Sequence, residues 1–288
     1  MSFISFILFT FLFQNLTTND SKWENIGVFR KAKIFCVDPF ENIIVYDEIN
    51  QSLLKLSIKG DTLGNIGGYG WSKYSFDHPS DVTSRNGLDF YVADYGNHRV
   101  VHLDKNLNYI SSFGDYSLSK ESFIFRYPRG IALDRFGKLY IIDGENNQIV
   151  KINENNQLER SFGGFEAGIG KLTKPTRVRI SGDDLVLVQD GNKIVIFDLL
   201  GNYIRTIGTG YFKKLISFTV DKNTIYGLDQ LRLIKVKTDG KIVSVFSLES
   251  FANNQKDSDF ISVDVLNNYV YILTSQYVMK VSEASLTK

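Results

Sequence analysis

Arg177 and Arg179 stand two residues apart in Thr176-Arg177-Val178-Arg179-Ile180, and period-2 geometry sends both guanidinium groups out of the same face of an extended strand. Two cations on an interior strand must meet carboxylates, water or an anionic ligand, because burial without a partner is prohibitive. Asp81 is the expected internal partner of Arg177, and that pair would make the arginines part of an ion-pair network along a channel. Without it they form an anion site, with Arg129 at its mouth as a further donor. A second group is aromatic: Trp71 and Tyr74 lie in a long connection that also holds Tyr69 and Lys73. Phe76 and Phe125 each stand three residues before a proline and follow an internal repeat, whereas Trp71 and Tyr74 follow none, which makes them the better candidates for ligand contact.

Other chemistry-bearing residues point to structure. His78, His98 and His102 are not placed to meet, so no imidazole pair is expected. Cys36 is the single cysteine; it excludes an intrachain disulfide and a cysteine-based zinc site and reads as buried filler. The segment Gly163-Gly164-Phe165-Glu166-Ala167-Gly168-Ile169-Gly170-Lys171-Leu172 echoes a phosphate loop. However, Phe165 stands where the first glycine belongs and Leu172 where Ser or Thr belongs, so it reads as a turn. Asp47, Asp94, Asp143, Asp190 and Asp229 recur at one turn position, which fits capping of backbone N–H groups better than a ring of cation ligands.

These residues are positioned by a repeat. The run closed by those aspartates, as in Phe90-Tyr91-Val92-Ala93-Asp94, returns six times at spacings of 39 to 49 residues, with Thr274 in the sixth place. A period in the forties holding four short β-type runs predicts propeller blades. Strand a carries Phe35-Cys36-Val37-Asp38, Ile131-Ala132-Leu133-Asp134, Phe218-Thr219-Val220-Asp221 and Ile261-Ser262-Val263-Asp264. In this alignment Arg179 shares a column with Cys36, Thr83, Ala132, Thr219 and Ser262, and Arg177 shares one with Ile34, Asp81, Gly130, Ser217 and Phe260. Strand b is continuously apolar, as expected of a strand covered on both faces. Strand c alternates, as in Leu54-Lys55-Leu56, and predicts a wetter side. Gly and Asn supply the c-to-d turns, and strand d ends in an apolar residue followed by glycine. The sixth unit stops after strand c, while Trp23-Glu24-Asn25-Ile26-Gly27 has the form of a strand d. The expectation is an all-β, six-bladed propeller of four-stranded antiparallel blades, closed by the N-terminal strand in the last blade.

The unit Pro128-Arg129-Gly130-Ile131-Ala132-Leu133-Asp134, continued by Gly137-Lys138-Leu139-Tyr140-Ile141-Ile142-Asp143, resembles the NHL repeat. Asp94-Tyr95-Gly96-Asn97-His98-Arg99-Val100 resembles it more closely still. The resemblance covers residues 76 to 210 and fades in the first, fifth and sixth units. It implies a six-bladed β-propeller and leaves activity open, because members include protein-binding, RNA-binding, sensor and enzyme proteins. The peptide-amidating lyases that it resembles in fold use histidines and a metal in the central channel, a set that this sequence does not supply.

Phe3 to Phe13 is almost wholly apolar and uncharged. It is short for a bilayer span and fits the core of a signal peptide. Residues 1–20 are therefore read as a signal peptide or N-terminal hydrophobic segment and residues 21–288 as one propeller domain. A net charge of +1 gives no general field for nucleic acid. The expected function is that of a secreted, periplasmic or cell-surface monomer without cofactor or metal. It would bind a protein, peptide or glycan, anionic ones included, through the rim of d-to-a and b-to-c loops, and would touch a membrane only through an uncleaved N-terminal segment. The alternative is a lyase or hydrolase acting on an anionic substrate at the mouth of the central channel. Trp71, Tyr74, Asp81, Arg129, Arg177 and Arg179 are the binding candidates, and no residue is assigned a catalytic role.

Overall fold

The computed structural model describes residues 23–114, 124–249 and 260–286. The apolar run Phe3–Phe13, the loop residues Tyr116 and Lys120, and most of the last d-to-a loop lie outside them. Strand β1 (Trp23–Ile26) precedes blade 1, made of β2 (Ala32–Val37), β3 (Ile43–Asp47), β4 (Ser52–Leu56) and β5 (Thr62–Gly67). Blade 2 holds β6 (Pro79–Thr83), β7 (Asp89–Asp94), β8 (Arg99–Asp104) and β9 (Tyr109–Phe113), and blade 3 holds β10 (Ile131–Leu133), β11 (Leu139–Asp143), β12 (Gln148–Ile152) and β13 (Leu158–Phe162). Blade 4 follows with β14 (Pro175–Ile180), β15 (Leu185–Asp190), β16 (Lys193–Asp198) and β17 (Tyr203–Ile207), then blade 5 with β18 (Leu215–Asp221), β19 (Thr224–Asp229), β20 (Arg232–Lys237) and β21 (Ile242–Ser247). Blade 6 contains β22 (Ser262–Leu266), β23 (Tyr269–Leu273) and β24 (Val278–Ser282), and its outer strand is β1. In that sheet β1 runs antiparallel to β24, with Trp23 opposite Val281 and Asn25 opposite Met279.

The strands form as they do because each blade must bury two faces. Strand b is wholly buried in blades 1 and 3, and its β-branched and aromatic side chains fill the space on either side of the sheet. Six apolar clusters result, one between each pair of neighbouring blades. The cluster between blades 6 and 1 joins Ile26, Tyr271 and Leu273 to Phe35, Val45 and Leu56. Each Leu, Ile or Phe so buried contributes roughly 1.5–3 kcal/mol.

Strand c departs from the wetter side that its alternation predicts. Lys55 and Lys151 are buried, and their ammonium groups donate to carbonyl oxygens in the c-to-d turn of the following blade, at Lys105 (2.8 Å) and Leu199 (3.0 Å). Their methylene stems pack between blades while the charge is satisfied at the edge.

Blade 6 also departs from the repeat alignment. Ser262 faces Leu273 across the sheet, just as Arg177 faces Gln189 and Ile34 faces Tyr46. Ser262 therefore falls in the column of Arg177, and Asp264 in the column of Arg179, two residues away from the alignment read from the apolar-small-apolar-Asp figure. In blade 1 the a-to-b connection spans the residues between Val37 and Ile43. In blade 6 it is a tight turn at Asn267 and Asn268, with φ of 50° and 63°, the left-handed pair that two-residue hairpins use. A shift of two residues leaves every side chain on its own face, so Asp264 stays on the axial face but sits two positions back from the end of the strand, where it accepts from Thr219 instead of capping the a-to-b turn as Asp38 does.

Candidate functional site

The innermost strands β2, β6, β10, β14, β18 and β22 contact one another around the axis. Two rings of side chains face inward. The ring nearer the start of strand a comprises Ile34, Asp81, Gly130, Arg177, Ser217 and Ser262. The next comprises Cys36, Thr83, Ala132, Arg179, Thr219 and Asp264.

Asp81 pairs with Arg179 and not with Arg177, its expected partner. The contact is bidentate, from Nη1 to Oδ2 at 2.9 Å and from Nη2 to Oδ1 at 3.2 Å. Asp81 Oδ2 also accepts from the backbone N–H of Ile131 at 3.1 Å, which draws the carboxylate over blade 3 and within reach of Arg179. Burial alone would push the Asp81 carboxyl upward, but the charges of Arg179 and then Arg177, with these hydrogen bonds, hold it below its ordinary 3.8. For Arg179 burial works against the cation and the Asp81 charge outweighs it, so its pKa rises.

Arg177 leans the other way across the axis, and its Nη1 donates to Ser262 Oγ at 2.8 Å. Ser262 Oγ in turn lies 3.1 Å from Ser217 Oγ. Burial and then the like charge of Arg179 lower the Arg177 pKa to about 10, which leaves it a full cation at neutral pH. Asp264 balances charge from a distance. Its Oδ2 accepts from Val37 N at 2.9 Å, and its Oδ1 accepts from Thr219 Oγ1 and Val265 N, each at 2.9 Å. Cys36 lies in the same channel wall, and burial, with Asp264 next, raises its thiol pKa, so it is not a reactive thiolate.

The rim is built differently. The recurrent aspartates cap backbone N–H groups and tie the segment before strand a to the b-to-c turn of the same blade. Asp47 accepts from Arg30 N (2.8 Å), Lys31 N (3.0 Å) and Ile49 N (3.2 Å). Asp143 accepts from Arg126 N (3.2 Å) and Asn146 Nδ2 (2.7 Å). Among the described residues no group of acidic, His or Cys side chains is arranged to hold a metal ion.

In blade 2 the cap becomes a clamp. Arg99, only 3% exposed, donates from Nε to Asp94 Oδ2 at 2.9 Å. Its Nη atoms donate to three carbonyl oxygens of the d-to-a loop: Trp71 (3.3 Å), Ser72 (2.9 Å) and Ser75 (2.8 Å). Asn97 Nδ2 donates to Gly70 O at 2.9 Å, and Gly70 takes φ of +131°, a conformation open to glycine alone. Thus fixed, the loop presents Trp71 (76% exposed), Tyr69 (63%) and Tyr74 (51%) to solvent. Tyr74 also lines a shallow groove of about 450 Å³ with Asn50, Asn65, Ile66 and Gly68.

The structure thus brings Asp81, Arg177 and Arg179 to the axis and Trp71 and Tyr74 to one rim loop. Arg129 joins neither group: its guanidinium lies on the b-to-c turn of its own blade, donating to Asn147 Oδ1 at 3.3 Å, and so is no donor at the channel mouth. The histidines are apart, with His98 against Tyr127, His102 bonded to Asp89 and His78 to Asp77. Sequence reasoning missed three things: Asp264, hidden by the register slip; Arg99, whose signal is an arginine opening strand c directly after a capping aspartate's turn; and Phe165, 82% exposed in the loop read only as a turn.

Comparison with known proteins agrees with this architecture. A family model of the NHL repeat matches residues 76–103, which end in blade 2's strand c and include Asn97 and Arg99. Protein brain tumor of Drosophila melanogaster is 29% identical over 147 residues, 50% of this chain and 14% of that protein's length. A solved streptogramin B lyase superposes with a TM-score of 0.66 at 10% identity, covering 90% of this chain and 96% of its own. A luciferin-regenerating enzyme superposes with a TM-score of 0.64 at 11% identity, covering 92% and 96%. At such identities the likeness shows the fold alone. With six four-stranded blades around one axis and an NHL repeat matched in the second of them, the chain is a six-bladed β-propeller that carries an NHL repeat.

Proposed function

We propose that this propeller is a non-enzymatic binding module acting outside the cytoplasm, which takes a protein, peptide or glycan partner on its d-to-a and b-to-c rim. The observation that carries the reading is the loop 68–76. A large indole left in water forgoes the stabilisation of burial, and here a buried arginine and an asparagine hold the backbone that displays it. Because the loop is already ordered, binding loses little conformational entropy there, and exposed Trp and Tyr are the side chains that most often anchor interfaces. The export reading rests on the uncharged apolar run Phe3–Phe13.

The test uses the two tryptophans, of which Trp23 is buried and Trp71 exposed. Peptide and glycan arrays are probed with the intact protein and with Trp71→Ala and Tyr74→Ala, and hits are followed by the shift in Trp71 emission. Specific hits lost in both variants support the reading, and hits indifferent to both variants refute it. Mass determination of the protein recovered from its producing cells tests export, since removal of the Phe3–Phe13 segment is expected.

A further inference from the structure

Arg177 is the one cation of the axial rings whose hydrogen-bonding capacity is largely unspent. Arg179 has a bidentate carboxylate, and all three acceptor contacts of Asp264 are taken by Val37, Thr219 and Val265. Arg177 has no carboxylate within 4 Å among the described residues, its only side-chain hydrogen bond runs to the neutral Ser262, and its buried Nε has no partner at all. A guanidinium has five N–H donors, so four remain. The two serines add to the set. Ser262 Oγ accepts from Arg177 and shares a hydrogen bond with Ser217 Oγ in which either oxygen can donate; with Ser262 as the donor, the Ser217 proton is left for an acceptor. Both serines are buried, in the inner ring nearer the start of strand a. That is the side on which the d-to-a and b-to-c loops open. Beside them, Asp81 of the same ring pairs with Arg179 of the next, from blade 2 to blade 4.

A cation with unspent donors and a hydroxyl beside it are the elements that recognise a small oxyanion by charge-assisted hydrogen bonds. We propose that the channel binds a small oxyanion, carried by a carboxylate, phosphate or sulfate group, on Arg177 with Ser217 as second donor. This site is distinct from the aromatic rim: its ligand is held by charge and hydrogen bonds at the axis, and Trp71 takes no part.

The test is thermal unfolding and titration calorimetry with acetate, inorganic phosphate and sulfate, each against chloride at matched ionic strength. At least one oxyanion is expected to raise the unfolding temperature saturably. Arg177→Gln should weaken that affinity by at least about tenfold, the scale of one charge-assisted hydrogen bond, and Trp71→Ala should leave it unchanged. Absence of a saturable response to all three anions would overturn the site, as would an affinity unaltered in Arg177→Gln. Should that variant fail to fold, Ser217→Ala decides. A several-fold loss of affinity with unchanged unfolding temperature supports the proposal, and unaltered affinity overturns it.

Discussion

Arg99 on the rim and Arg177 at the axis are both enclosed arginines that open onto the same end of the propeller, yet they are used in opposite ways. Arg99 meets one carboxylate and three loop carbonyls, and almost nothing of it reaches water. Arg177 meets one serine hydroxyl. A guanidinium with four of its five donors engaged by its own chain holds structure, and one that carries its charge past a neutral hydroxyl is available to something else. The contrast separates scaffold from site more sharply than residue type does.

The contrast can be broken by substitution. The largest effect belongs to Arg99→Ala, which strands the buried Asp94 carboxylate and frees the loop 68–76; a loss of about 4 kcal/mol is expected in urea unfolding. Asp81→Asn comes next, at about 3 kcal/mol, because it leaves Arg179 without its counter-ion. It also carries a pH signature. Folding lowers the Asp81 pKa below 3.8, so its contribution is complete above that value and is lost as pH falls through the folded-state pKa. The wild-type acid limb should accordingly be steeper than that of Asp81→Asn, and equal slopes would mean that the pair contributes nothing to folding. Arg177→Gln should cost no more than about 1 kcal/mol, since one hydrogen bond to a hydroxyl is lost while repulsion from Arg179 is relieved. A loss as large as that of Arg99→Ala would make Arg177 scaffold and end the comparison. The smallest effect is expected from Trp71→Ala, within about 0.5 kcal/mol of wild type, because its indole is in water. A larger loss would show that the indole supports the loop.

Much of this was legible in the chain. The recurring aspartate, the apolar strand b and the displaced Trp23–Ile26 run each depend on local pattern, and each recurs often enough to be read without coordinates. The same holds for the two-residue spacing that puts Arg177 and Arg179 on one face. Arg129 could not be placed in this way, because a residue just before strand a can lean to the axis or to its own turn with no change in pattern. Asp264 was hidden because an apolar-small-apolar-Asp figure matched the repeat two residues out of register, and only the pairing of Ser262 with Leu273 reveals the slip.

By itself, then, the sequence determined six blades, their four strands and the type of residue facing the axis, because periodicity and turn chemistry act over a few neighbours. Which arginine takes Asp81, where Asp264 points and why Trp71 is held in water were decided by tertiary structure. Each depends on how side chains from blades far apart in sequence meet across a closed ring, and no local pattern encodes those distances.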